Sequence, residues 1–230
     1  MTISHDSRTR VKKAFEPIAL GMGRLGFTPD ALTLTGFAIT AVGAVLVSQQ
    51  LWLSGGLVVF VGGVFDMFDG TLARATGKVS KLGAFMDSVF DRWGEMLVYL
   101  GIVIGSVGAG FDDAAILASG AMGAAFMVSY TRAKSEGLGF TAGTGMAAVG
   151  VMPREVRLVI LSAGLIAADL FGGVILIPPP GATCVESCTQ TGGIALLGAL
   201  AVIGVGATIT VIQRILHVRS QARQQSTQSQ

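Results

Sequence analysis

Two pairs of aspartates interrupt otherwise apolar stretches of this chain. Asp66 and Asp69 lie in Phe65-Asp66-Met67-Phe68-Asp69-Gly70-Thr71-Leu72-Ala73-Arg74, and Asp87 and Asp91 lie in the next apolar run. An acid at the centre of a membrane helix costs ~2.5–3.5 kcal/mol, less toward the interface. Four acids close together therefore need compensation, and a hard divalent cation supplies it. Carboxylate oxygens suit Mg²⁺ or Mn²⁺ held jointly with substrate phosphates. No His or Cys lies nearby to favour zinc. Two such ions about 3.5–4 Å apart clamp a pyrophosphate and ease departure of a nucleotide monophosphate. Asp91, the acid furthest from the connecting loop, is placed to accept the proton of an attacking hydroxyl.

Helical geometry says how the acids are presented. At about 100° per residue, positions 66, 69, 70 and 73 share one face, and 83, 87 and 91 share another. Gly70 and Ala73 leave space above the first pair, enough for a nucleotide to approach the backbone. For either small residue alone, helix packing in a membrane is the simpler account; beside two acids it is the weaker one. The loop between the runs is short, so the four carboxylates are expected to converge from two antiparallel neighbouring helices.

The elements that position them are read from composition. The 230 residues are 51% hydrophobic and 13% charged, with mean hydropathy +0.68, which places the chain in a lipid bilayer rather than among ordinary soluble domains. A spanning helix needs about 20 mostly apolar residues. Stretches 32–50, 52–74, 83–106, 113–133, 156–177 and 192–216 meet that need. The expected fold is an all-α integral membrane protein of six transmembrane helices in a single domain over 1–219. No removable signal peptide is read. A soluble helical bundle would need polar outer stripes, and most of these segments have none.

Basic residues orient the spans. Arg8, Arg10, Lys12, Lys13 and Arg24 precede the first span, Arg74, Lys78 and Lys81 lie between the second and third, and Arg132, Lys134, Arg154 and Arg157 lie around the connection of the fourth to the fifth. Arg214, Arg219 and Arg223 close the sixth, and the opposite loops carry no Lys or Arg. The positive-inside rule then puts both termini and the catalytic face in the cytoplasm of a multi-pass protein of the cell membrane.

Residues 8–23 read as an interfacial amphipathic helix, or as a charged leader that only sets topology. Thr28-Pro29-Asp30 marks the start of the first span. Cys184 and Cys188 fall in the Pro-rich outer loop and suggest a disulfide or inert thiols rather than a metal site. The Gln- and Ser-rich tail, 220–230, is expected to be disordered.

The arrangement Asp66-x-x-Asp69-Gly70-x-x-Ala73-Arg74, eight residues, Gly83-x-x-x-Asp87-x-x-x-Asp91 resembles the complete signature of the CDP-alcohol phosphotransferase (phosphatidyltransferase) family. The resemblance implies a homodimer of six-helix subunits that passes a group from a CDP-linked donor to an alcohol and releases CMP. It implies metal ligation by Asp66, Asp69, Asp87 and Asp91, with two ions per site, and Asp91 as general base. Gly70, Arg74 and Ser80 would contact the CDP moiety, with Ala73 and Gly83 beside them. Thr28, Pro29, Asp30 and Ala31 resemble the family stretch next to bound CDP-lipid.

The acceptor must be read elsewhere. Arg132, Lys134, Arg154, Arg157 and Arg214 could form an anion pocket for a phosphorylated polyol, although positive charge that only sets topology accounts for any one of them. The run Ser129 to Glu136, Arg154-x-x-Arg157-Leu158 and Gln213-Arg214 resemble the phosphatidylinositol phosphate synthase branch, as do Pro17-Ile18-Ala19 and Gly26 to Asp30. That branch implies CDP-diacylglycerol as donor and inositol phosphate as acceptor. Two departures bear on acceptor geometry: Arg132 and Lys134 are interchanged relative to the usual order, and Pro153 stands where an acid is common. Glycerol phosphate as acceptor, or CDP-inositol as donor, are the alternatives within this chemistry. An ion-coupled transporter is the alternative outside it, but its polar residues would cross the whole membrane depth. Nucleic acid is not an expected partner.

Overall fold

The computed structural model describes residues 16–140, 146, 149–173 and 191–228, and its described secondary structure is helical throughout. A first helix, α1, covers residues 16–24. Six long helices follow: α2 (Pro29–Ser48), α3 (Trp52–Ala75), α4 (Lys81–Gly108), α5 (Asp112–Gly137), α6 (Arg154–Leu170) and α7 (Thr191–Gln228). The leader before residue 16, Pro178 to Pro180, Cys184 and Cys188 lie outside the described residues.

Local chemistry sets the helix starts. The Thr28 hydroxyl accepts from the Ala31 amide at 3.2 Å and Pro29 opens α2, where a missing N–H goes unfelt. Ser80 does the same for α4, accepting from the Gly83 amide at 2.9 Å. Gly77, at φ +67°, turns the chain between α3 and α4.

Four helices, α2, α3, α5 and α7, are long and apolar enough to cross a membrane. The other two depart from the simplest pattern for visible reasons: α4 carries Asp87, Asp91, Arg92 and Glu95, and α6 has 17 helical residues. Its helix ends at Leu170, short of the expected 177. Large apolar side chains remain exposed on the outer faces, among them Val42, Ile116 and Val205, a surface matched to acyl chains and poorly matched to water.

The long helices close into a ring: α2 packs on α3, α3 on α6, α6 on α7, α7 on α5, α5 on α4, and α4 on α2. The core within it is built on Trp52, Val59, Tyr99, Ile102, Leu161, Leu165, Leu200 and Ile203. α1 sits against the ends of α2 and α3, with Ala19 fully buried beside Leu32, Phe68 and Leu72.

Neighbouring helices α3 and α4 were the simplest way to bring the four acids together, but α2 lies between them in the ring. It can serve both because glycines bring its backbone close to theirs at several points. A Cβ on Gly62 would stand 3.1 Å from the Gly36 carbonyl oxygen, and one on Gly101 would stand 2.4 Å from that of Ala44. The absent side chains let α3 and α4 both approach α2, and their charged segments then meet beside its first turns.

α7 continues to Gln228, where the sequence reading has a disordered tail from 220. At 1.5 Å per residue its 38 residues span about 57 Å, well beyond the ~30 Å hydrocarbon core. Arg and Gln are good helix formers, and Gln221 is buried, with its amide 2.9 Å from His217. A helix already nucleated on a packed stem adds such residues at little cost.

Candidate active site

The start of α2, the end of α3 and the start of α4 enclose a cleft of about 240 Å³. Pro29, Asp30 and Thr33 form one wall; Asp69, Gly70, Ala73 and Arg74 form the second; Ser80, Gly83, Ala84 and Asp87 form the third, with Lys78 and Val79 of the linker at the side. Arg74 and Lys78 are exposed, so two cations border a cleft whose inner end is acidic.

Most residues expected to hold the CDP moiety are here: Pro29, Asp30, Gly70, Ala73, Arg74, Ser80 and Gly83. Thr28 and Ala31 are not in the lining; they hold each other in the cap of α2. The glycines leave room that any side chain would take. A Cβ on Gly83 would come within 3.2 Å of Asp30 Oδ1, and one on Gly70 within 3.2 Å of Arg74 Nη1.

Asp66, Asp69 and Asp87 each offer an oxygen within 4.8 Å of the others. Such a donor set, all carboxylate, fits a hard divalent cation. Asp69 is the most firmly held: only 5% exposed, it accepts from the Thr33 hydroxyl at one oxygen and from the Gly70 amide at the other. The sequence reading missed Thr33; its one available signal was its place one turn after Pro29, facing the same way.

Asp91 is not in that group of three. Its Oδ1 lies 2.7 Å from Arg154 Nη1, and the same nitrogen donates to Asp66 Oδ2 at 2.6 Å. Arg154 therefore ties α6 to both α3 and α4, and Asp66 belongs at once to the carboxylate cluster and to this ion pair.

The remaining cations do not form one pocket. Arg132 pairs with Glu136 at 2.9 Å on an exposed turn of α5. Lys134 and Arg214 line a separate cavity of about 190 Å³ between α5 and α7. There Arg214 is 4% exposed and donates to the carbonyls of Val149, at 3.0 Å, and Val128. Arg157 is 1% exposed and forked onto Glu95 at 2.7 and 2.8 Å. Of the five, only Arg154 touches the acidic cluster. Glu95 also escaped the sequence reading, though an acid four residues beyond Asp91 in an apolar run was a usable signal.

Residues 27–177 match the sequence profile described as CDP-alcohol phosphatidyltransferase. The chain is 36% identical over 167 residues to the archaetidylinositol phosphate synthase of Pyrococcus horikoshii, an alignment spanning 73% of this chain and 82% of that protein. Its fold is similar to the crystal structure of Mycobacterium tuberculosis phosphatidylinositol phosphate synthase with CDP-DAG bound, at a TM-score of 0.71 and 28% identity over 90% of this chain and 94% of the other. It is similar too to that protein in complex with manganese and citrate, at a TM-score of 0.70 and 29% identity over 89% and 88%.

Proposed function

The chain belongs to the CDP-alcohol phosphatidyltransferase family, and from that membership we propose that it moves the phosphatidyl group of CDP-diacylglycerol to a hydroxyl of inositol phosphate. The carrying observation is the cleft that joins Asp69 and Asp87, two members of the carboxylate cluster, to Arg74, Lys78 and the open faces of Gly70 and Gly83. The names of the Pyrococcus and Mycobacterium relatives share an inositol phosphate product and differ in the lipid. The inositol phosphate acceptor draws support from both.

In the reaction, the acceptor oxygen forms a bond to the phosphorus that carries diacylglycerol, the bond from that phosphorus to the CMP oxygen breaks, and the hydroxyl proton passes to the Asp91 carboxylate. Asp66, Asp69 and Asp87 hold divalent metal, with Asp91 completing the set when two ions are bound. The manganese in the mycobacterial structure supports Mg²⁺ or Mn²⁺ here. Bound metal supplies charge neutralisation at the diphosphate. Arg74 and Lys78 meet the diphosphate, and Ser80, Gly83, Pro29 and Asp30 border the cytidine side. Thr28 and Ala31 serve by fixing the start of α2. Arg154 meets the acceptor phosphate, while Lys134 and Arg214 line a cavity of their own and Arg132 is paired with Glu136.

The same reading makes all six long helices transmembrane, with α4 and α6 spanning as members of the ring. It makes α1 an interfacial helix and faces the cleft, with both termini, to the cytoplasm of the cell membrane. A homodimer is part of the proposal. The deciding experiment incubates purified protein with Mg²⁺, CDP-diacylglycerol and, separately, inositol phosphate, glycerol phosphate, serine or inositol, and identifies lipid products by mass. Product with inositol phosphate alone is expected; product only with another acceptor sinks the assignment.

A further inference from the structure

Glu95 and Arg157 form an ion pair that no step of this reaction uses. Each guanidinium nitrogen has a partner: Nε and Nη2 lie 2.7 and 2.8 Å from the two Glu95 oxygens, and Nη1 donates to the Met152 carbonyl at 3.1 Å. At 1% exposure Arg157 cannot turn toward a ligand. Stability alone does not call for such a pair, because apolar residues of similar volume commonly serve as well or better.

Its place along the helices supplies the reason. Glu95 is one turn beyond Asp91 on α4, and Arg157 is one turn beyond Arg154 on α6. Residues so spaced share a helix face. The Arg154–Asp91 and Arg157–Glu95 pairs are thus two successive rungs joining the same two helices. α4 and α6 are not adjacent in the ring, so side chains rather than backbone packing fix their relative height. The lower rung is sealed and two-pronged; on the upper one Arg154 is 33% exposed. The bond to Met152 also grips the chain just before α6, which starts without a side-chain cap.

We infer that Glu95 and Arg157 are positioning residues whose forked pair sets the height of α6 against α4 and so holds Arg154 over Asp66 and Asp91. The inference rests on Arg154 as the contact for the acceptor phosphate. It has a second consequence that does not. Arg154 competes with a cation for Asp66, so a loosened fork relaxes that competition.

The test uses purified Arg157→Lys and Glu95→Asp, which keep both charges and spoil the two-pronged geometry. The KM for inositol phosphate is expected to rise about tenfold, the effect of weakening one charge-assisted hydrogen bond. The KM for CDP-diacylglycerol should stay within about twofold, since no contact to the donor changes. Mn²⁺ affinity, read by electron paramagnetic resonance, should rise about threefold as Arg154 releases Asp66. Equal rises in both KM values with unchanged Mn²⁺ affinity would mark the pair as plain structural support and overturn the inference. So would wild-type acceptor KM in the folded variants, or loss of folded protein in both. Wild-type enzyme that turns over no inositol phosphate would instead defeat the reaction assignment, and the Mn²⁺ measurement would then decide the positioning role alone.

Discussion

Arg154 and Asp91 meet at 2.7 Å from helices that are not neighbours in the ring. The same Arg154 nitrogen lies 2.6 Å from Asp66, so Asp91 reaches the cluster of Asp66, Asp69 and Asp87 through a shared cation without being one of its three members. Metal binding and proton acceptance are therefore separable by substitution. Asp91→Asn should lower CMP release by about 10²–10⁴, the usual contribution of a general base. Binding of one Mn²⁺ should survive, because Asp66, Asp69 and Asp87 remain. Undiminished CMP release in the folded variant would remove Asp91 from the proton-accepting role.

Thr33 predicts an effect on metal without touching it. Its hydroxyl is the hydrogen-bond donor to one oxygen of the buried Asp69, leaving that carboxylate aimed by Thr33 and Gly70 together. Thr33→Val keeps the shape and removes the donor. The loss of a hydrogen bond that orients a ligand should weaken Mn²⁺ binding about 10–100-fold. An unchanged Mn²⁺ titration curve would show that the helix alone aims Asp69.

The donor cleft makes a different demand. Gly70 lines it, and a side chain there would press on the Arg74 guanidinium. Gly70→Val should raise the KM for the CDP donor by about tenfold or more, a loss of ~1.4 kcal/mol or more in binding. The KM for the acceptor should barely move. An equal rise for both substrates would mean the cleft admits both.

Distance along the chain decides how much of this is legible in the sequence. The acids, Gly70, Arg74 and Gly83 are legible because helical spacing relates Asp66, Asp69, Gly70 and Arg74 on α3, and Gly83, Asp87 and Asp91 on α4, and the structure brings all but Asp91 to one cleft or cluster. The helix start at Thr28-Pro29-Asp30 is equally local. The partners of Arg154 and Arg157 lie 88 and 62 residues away, and no periodicity reports contacts across a ring. For the same reason the five cations looked like one anion pocket, although Arg132, Arg157 and Arg214 each have a separate local partner. The close approach of α2 to α3 has a signal of its own in Gly36, Gly43, Gly55 and Gly62, small residues spaced to let two backbones approach.

That close packing is testable because it carries the acidic helices. On Gly101 a Cβ would lie 2.4 Å from the Ala44 carbonyl oxygen and 3.2 Å from its carbon, both backbone atoms that cannot rotate away. Gly101→Ala must therefore push α4 off α2, at ~1–3 kcal/mol for overpacking a fitted interface. The displacement reaches further than stability, since Asp87 and Asp91 ride on the same helix. A lower thermal midpoint is expected together with weaker Mn²⁺ binding in the protein that remains folded. Gly120 on α5 is the control: it is exposed, with open space around its missing Cβ. Gly120→Ala should be neutral or stabilise by ~0.4–1 kcal/mol through reduced freedom of the unfolded chain. If Gly101→Ala matched Gly120→Ala in both thermal midpoint and Mn²⁺ binding, the backbone contact between α2 and α4 could not be what sets the carboxylates in place.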